Sequence, residues 1–236
     1  MESIKSCDKT FNINNDTSTV TFANNVHPGC FSETTIYRNT SPVQNMDDSG
    51  IFIVPEIVKD KYGAEYTVTS IAEGDFDCVN EAVEIHIPKT ISKIGWGFWQ
   101  CKRLLKFVVS PNNKHYCDID GVLYSKNKKK LIAYPNAKGT VYKIPNGVEC
   151  IENCAFKSTE IEKITIPGSL QRIGTNAFYG CNKLQWIIDI PASIVEVADY
   201  QNPTGIHSAN PKCRMSNGEI TTFKELIRRH PTTKTK

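Results

Sequence analysis

Four phenylalanines fall at a fixed step in this 236-residue chain. Phe76 lies in SIAEGDFDC, Phe98 in KIGWGFWQC, Phe156 in CIENCAFKS and Phe178 in RIGTNAFYGC. The step is 22 residues within each pair and 58 between pairs, so about 36 residues are inserted between two copies. Two further markers keep the period. An Ile-Pro pair recurs at Ile87-Pro88, Ile144-Pro145, Ile166-Pro167 and Ile190-Pro191, with Val54-Pro55 and Ser110-Pro111 in comparable places. An isoleucine (Ile71, Ile94, Ile151, Ile173) precedes each phenylalanine by four or five positions. A unit this short cannot bury its own apolar face, but it can against a neighbouring copy.

Each unit carries a short alternating run before its proline: VEIHIP, KFVVSP, EKITIP, WIIDIP. Alternation of period two places every second side chain inward. Ile85, Ile87, Phe107, Val109, Ile164 and Ile166 are expected inside. Glu84, His86, Lys106, Val108, Lys163 and Thr165 are expected outside, with Ile187 and Asp189 beside them if the last strand keeps phase with its Ile-Pro end. Proline donates no ladder hydrogen bond and ends each strand. The phenylalanine then follows in a tight turn or 3₁₀ piece. The predicted fold is a β-rich repeat solenoid: a parallel strand ladder with internal columns of isoleucine and phenylalanine.

The pattern I-x-x-I-G-x-x-A-F-x-x-C-x-x-L followed by an I-P strand end, clearest in RIGTNAFYGCNKLQWIIDIP (172–191), resembles the BspA-like leucine-rich repeats. The lead-in GIFIVPEIVKDKYGAEYTVTSIAEGDF (50–76) resembles the usual entry of that family, and the resemblance spans about 50–200. It implies a repeat scaffold of the kind found on the surface of Bacteroides-type bacteria and some parasitic protists, and a secreted or cell-surface location. The N-terminus, MESIKSCDKTFNIN, shows no apolar leader, which leaves either an intracellular protein or a trimmed mature chain.

Residues 1–50 read as N-terminal capping strands, with FNINNDTSTVTFANN as a hairpin; NDT (15–17) and NTS (39–41) fit glycosylation sequons. Residues 51–200 form the solenoid. The insertion at 110–140 holds two β-prone runs, DIDGVLYS and KKLIAYP, around a lysine-rich turn, and is expected to project from the solenoid edge as a hairpin. Residues 201–236 form a C-terminal cap. There TTFKELIRRH reads as a short helix with Thr222 and Glu225 in a capping box, ended by Pro231 and followed by a frayed TTKTK tail.

A net charge of +3 is too mild to argue for nucleic acid. No apolar run approaches the roughly 20 residues of a membrane helix. The five histidines form no zinc pattern, and no nucleophile elbow, phosphate loop or dinucleotide fingerprint occurs. No catalytic, cofactor or metal residues are assigned, and no cofactor is expected. Cys78, Cys101 and Cys181 follow their phenylalanines by two or three residues and read as a buried thiol column; bridges Cys78–Cys101 and Cys7–Cys30 are the alternatives.

The expected function is a non-catalytic recognition or adhesion module, monomeric, that binds a protein or glycan of a host or neighbouring cell. The candidate surface is the strand face Glu84, His86, Lys106, Val108, Lys163 and Thr165. Trp96 and Trp99 are open between semi-buried core and an aromatic binding surface, and Trp186 reads as core. A spacer that displays other domains is the alternative, followed by an enzyme with an unrecognised site.

Overall fold

The computed structural model describes residues 10–14, 19–23, 35–37, 49–59, 65–71, 81–96, 98–198 and 210–230. Phe76, Cys7, Cys30, Cys78, both sequons, Pro231 and the TTKTK tail lie outside them. The chain divides into two compact units, Met1–Gly121 and Val122–Lys236.

The first unit contains β1 (Thr10–Asn14), β2 (Thr19–Ala23), β3 (Thr35–Tyr37), β4 (Ile51–Ile53), β5 (Ile57–Lys59), β6 (Glu65–Ile71), β7 (Glu84–Ile87), β8 (Lys93–Ile94), β9 (Lys106–Val109) and β10 (Tyr116–Ile119). Two parallel ladders organise it. One runs β4-β7-β9, with Phe52, Ile85 and Phe107 in one buried column. The other pairs Ile71 of β6 with Ile94 of β8. The hairpin β1–β2 lays β2 parallel to β6 and so continues this ladder at its N-terminal side.

The second unit contains β11 (Val122–Ser125), β12 (Lys130–Ala133), β13 (Val141–Lys143), β14 (Cys150–Ile151), β15 (Lys163–Thr165), β16 (Arg172–Ile173), β17 (Trp186–Ile190), β18 (Glu196–Val197), β19 (Lys212–Met215), β20 (Ile220–Thr222) and α1 (Phe223–Arg229). Its ladders are β12-β14-β16-β18 and β13-β15-β17-β19, both parallel. Leu131, Ile151, Ile173 and Val197 stack as one buried column. Half-buried Tyr142 aligns with buried Ile164, Ile187 and Cys213 in a second column. The protein is thus a β-solenoid built from parallel ladders.

The proline that ends each strand also starts the next turn. The carbonyls of Pro145, Pro167 and Pro191 accept from the N–H groups of Val148, Leu170 and Ile194 at 3.4, 3.1 and 3.2 Å. Those three apolar side chains are buried and form a third column. The aromatic turn is a run of hydrogen-bonded turns rather than a 3₁₀ helix. Consecutive turns bond each other: Phe156 N–H donates to Ala177 at 2.8 Å and Ser158 N–H to Tyr179 at 2.7 Å. Each turn enters the left-handed region twice, at Cys154 and Ser158 in one and at Asn176 and Gly180 in the next. Gly180 also needs its missing side chain: a Cβ there would lie 2.9 Å from Ser158 Oγ.

Three expectations change. The insertion does form a hairpin, β11 antiparallel to β12, but its return strand does not project. It joins the ladder beside β14, because Leu131, Ala133 and Tyr134 carry the apolar pattern of a rung. Tyr134 stands 22 residues before Phe156 and stacks on it at 5.1 Å, so the insertion contains a rung whose aromatic is tyrosine. At the other end, the repeat does not stop at Val197. Lys212–Met215 is one more parallel rung, with Cys213 where earlier rungs place isoleucine. Finally, Ile187 is buried rather than outward. A bulge between Ile188 and Ile190, with Asp189 at φ 62°, takes up one residue and reverses the phase upstream.

The helix α1 closes the second unit. Leu226 is buried, Phe223 meets Phe178 edge-on at 5.4 Å, and Val197 N–H donates to His230 O at 2.9 Å. Thr222 Oγ1 accepts from Glu225 N–H at 3.3 Å, which is the forward half of the expected capping box. The Glu225 carboxylate instead accepts from Arg228 at 2.7 and 2.8 Å and from Arg229 at 3.0 Å. These bonds, Arg228 first, hold it down to about 2 from an ordinary value of 4.5. A depressed carboxyl contributes above its ordinary value and stops contributing as pH falls through the folded one. A carboxyl-carbon NMR titration should therefore place the Glu225 midpoint near 2, and Arg228→Met together with Arg229→Met should return it toward 4.5.

Candidate functional site

In the first unit, outward positions of β4, β7 and β9 align as two columns, Ile51–Glu84–Lys106 and Ile53–His86–Val108. Strand register therefore brings Glu84, His86, Lys106 and Val108 together. Glu84 is the hub: Lys106 Nζ lies 2.8 Å from Oε1 and His86 Nε2 lies 3.2 Å from Oε2. The Lys106 ammonium, against some desolvation and helped by His86, holds the Glu84 carboxyl below the usual range. Neighbouring charges are matched too, Lys89 with Glu56 and Arg103 with Glu81. Beside this neutralised polar group, Ile53 is 55% exposed. Trp96 and Trp99 stack at 5.5 Å with 25° between planes; Trp96 is 40% exposed and Trp99 half-buried. The shortened turn still delivers Phe98 to the core, where it meets Phe107 edge-on at 4.9 Å.

Lys163 and Thr165 belong to the second unit. There the outward columns are Val141–Lys163–Trp186–Lys212 and Lys143–Thr165–Ile188–Arg214. Trp186 is outward and half-buried, not core, for the same reason that Ile187 is inward: the bulge at Asp189 reverses the phase of β17. The Lys212 ammonium lies over its ring, 5.4 Å from the centroid. Arg214 bonds Asp189 at 3.0 Å. Sequence reasoning missed Lys143, Lys212 and Arg214. The alternating run in PKCRMS was the available signal for the last two.

The other ladder of this unit is outwardly self-neutralised. Lys130, Cys150, Arg172 and Glu196 form its outward column. Lys130 pairs with Glu152 at 2.9 Å and Arg172 with Glu196 at 3.1 Å. At the hairpin turn Lys129 pairs with Glu149.

Of the three cysteines expected in a thiol column, Cys78 lies outside the described residues, and Cys101 and Cys181 belong to different units. Cys101 and Cys181 are buried, and Thr159 occupies the equivalent place in the rung between Tyr134 and Cys181, its Oγ1 3.4 Å from Cys181 Sγ. Cys181 donates to Phe156 O at 2.8 Å. Burial pushes the Cys181 thiol up to about 11 and the Cys213 thiol up to about 12. Thiolate is the reactive form. Both cysteines should therefore resist iodoacetamide at neutral pH in the folded chain and react after denaturation, as read by peptide mass spectrometry. Among the described residues no group of three or more His, Cys, Asp or Glu is placed to hold a metal ion, and no helix is long and apolar enough to cross a membrane.

The sequence matches the BspA type leucine rich repeat region, in six copies, over residues 61–137 and 131–208, more than half of the chain. This chain belongs to the BspA-type leucine-rich repeat family. No curated protein sequence matches it. Among solved structures, a leucine-rich repeat protein from Eubacterium ventriosum is 22% identical over 56% of this chain and 52% of its own length, with a TM-score of 0.42. A leucine rich cell surface protein from Faecalibacterium prausnitzii is 17% identical across 84% of each chain, with a TM-score of 0.40. The leucine rich repeat protein of T. pallidum is 15% identical over 92% of this chain and 82% of that one, with a TM-score of 0.46. This BspA-type chain spans about half the length of the first of these.

Proposed function

We propose that this BspA-type chain is a non-catalytic recognition module, displayed at a cell surface or secreted, that binds a protein or glycan of a host or neighbouring cell through its strand faces. One observation carries this reading. Inward positions repeat in kind from rung to rung, while outward positions in the same registers do not: Ile164, Ile187 and Cys213 are all buried and apolar, whereas Lys163, Trp186 and Lys212 opposite them vary. The scaffold needs the first set for folding; the second set is available for contact. The resemblance of the family to bacterial surface proteins supports the location.

The test is an array of extracellular-matrix proteins and glycans probed with the purified chain, then with Lys106→Glu and Lys163→Glu variants. Specific capture that one charge reversal weakens supports the reading, and the affected variant identifies the unit. Binding unchanged by both removes the strand faces. Antibody labelling of intact source cells tests the location.

A further inference from the structure

Several cations on outward strand positions are matched by carboxylates: Lys106 by Glu84, Lys130 by Glu152, Arg172 by Glu196 and Arg214 by Asp189. On the β13-β15-β17-β19 face only Arg214 is matched. Lys143, Lys163 and Lys212 are exposed, and none has a carboxylate partner among the described residues. Four cations stand on this face against the single carboxylate of Asp189. Lys163 and Lys212 flank Trp186 in its own column, one rung to each side. Rungs of a sheet lie about 4.8 Å apart, which sets the Cα atoms of Lys163 and Lys212 about 10 Å apart on either side of Trp186.

From this face we infer a docking site for a linear acidic polysaccharide, a glycan bearing carboxylates or sulfates along its length. The inference rests on the recognition reading above and gives it a ligand class. A sugar ring offers a flat C–H face to an indole while its acid groups project from the edge. Trp186 supplies the platform once the Lys212 ammonium, which lies over its ring at 5.4 Å from the centroid, turns to an acid group of the glycan, and Lys163 supplies a countercharge on the other side along the column. Lys143 extends the positive field on the parallel column, where Arg214 is matched by Asp189. An acidic peptide fits less well, because β15 and β17 are paired on both edges and leave no backbone edge for an added strand. A single-stranded nucleic acid wants a row of stacking rings, and this face has one.

The experiment measures binding of the full chain to heparin, dextran sulfate, polygalacturonate, neutral dextran, polyglutamate and a single-stranded oligonucleotide, by calorimetry at low and high salt. The expected result is binding to at least one acidic polysaccharide but not to neutral dextran, weakened by salt. Heparin and dextran sulfate against polygalacturonate separates sulfate from carboxylate recognition. A Lys163→Glu/Lys212→Glu chain should lose about tenfold or more in affinity. Trp186→Ala should lose roughly three- to tenfold, and Trp186→Phe should recover most of it. Lys102→Glu/Lys114→Glu, which removes two exposed lysines of the first unit, should change affinity less than twofold. Thermal melts check that each variant folds.

Tighter binding of polyglutamate or the oligonucleotide than of every acidic polysaccharide overturns the proposal. So does an acidic-polysaccharide affinity indifferent to Lys163→Glu/Lys212→Glu. A chain that binds matrix proteins or neutral glycans on the array but no acidic polysaccharide overturns this inference and leaves the recognition reading standing. A chain that binds nothing on the array overturns both.

Discussion

An Asn113→Ala chain is expected to lose about 3–5 kcal/mol of stability, seen as a lower urea midpoint with an unchanged slope. Asn113 is 1% exposed and its side chain makes four hydrogen bonds. Its Nδ2 donates to Pro88 O at 2.8 Å and to Ile91 O at 3.0 Å. Its Oδ1 accepts from the N–H groups of His115 and Tyr116, each at 2.8 Å. One amide thus ties the post-proline turn of one rung to the segment after the next strand. Alanine removes a bond from each of these four backbone groups, while Pro88 O keeps a long 3.4 Å bond from Ile91 N–H. A net loss of roughly 1 kcal/mol per bond, with the desolvation cost of orphaned groups, gives the stated size. Asn113→Asp, protonated in mild acid, keeps an acceptor oxygen and one O–H donor in place of two N–H donors, so there it should fall between wild type and alanine. A loss below about 1 kcal/mol for alanine would mean that water replaces the amide, and the tie would not be structural.

The sequence could not single out Asn113, since SPNNKHYC reads as a polar loop with two adjacent asparagines of equal claim. What was legible was whatever repeats in kind. The Ile-Pro marks located β7, β13, β15 and β17 because proline must end a ladder strand, and alternation correctly sorted Ile85, Ile87, Ile164 and Ile166 inward. Rungs were lost where a column kept its shape and changed its residue. Tyr134 fills the place of phenylalanine, and Cys213 that of isoleucine 26 residues after Ile187, so the markers were absent although the packing was not. Face assignment failed at one bulge: a single residue at Asp189 exchanged Ile187 for Trp186 at the surface. Of the outward set, β7 and β9 gave a charge-neutral cluster around Glu84. The unmatched lysines depended on β19, which periodicity alone did not extend to.

The largest single packing loss is expected at Phe156→Ala, again about 3–5 kcal/mol, in the range for truncating a buried aromatic. Phe156 is fully buried and is the middle of an aromatic column. Tyr134 stacks at 5.1 Å, Phe178 lies at 5.4 Å and Tyr142 at 6.5 Å. The backbone around it is fixed independently of the ring: its N–H bonds Ala177 O, and its carbonyl accepts from Thr159 N–H at 3.1 Å and Cys181 Sγ at 2.8 Å. The turn therefore cannot collapse freely into the space, and the cavity term adds to the lost transfer energy. Phe156→Leu, which retains most of the volume, should cost less than about 2 kcal/mol. Leu105→Ala, at a position 46% exposed, should stay within about 0.5 kcal/mol of wild type. Because each rung is stabilised mainly by its neighbours, removing the middle ring weakens the contacts with both the Tyr134 and Phe178 rungs at once. Urea unfolding of the three variants reads the order directly. If Phe156→Ala and Leu105→Ala prove equally mild, the aromatic column is not what holds the second unit together.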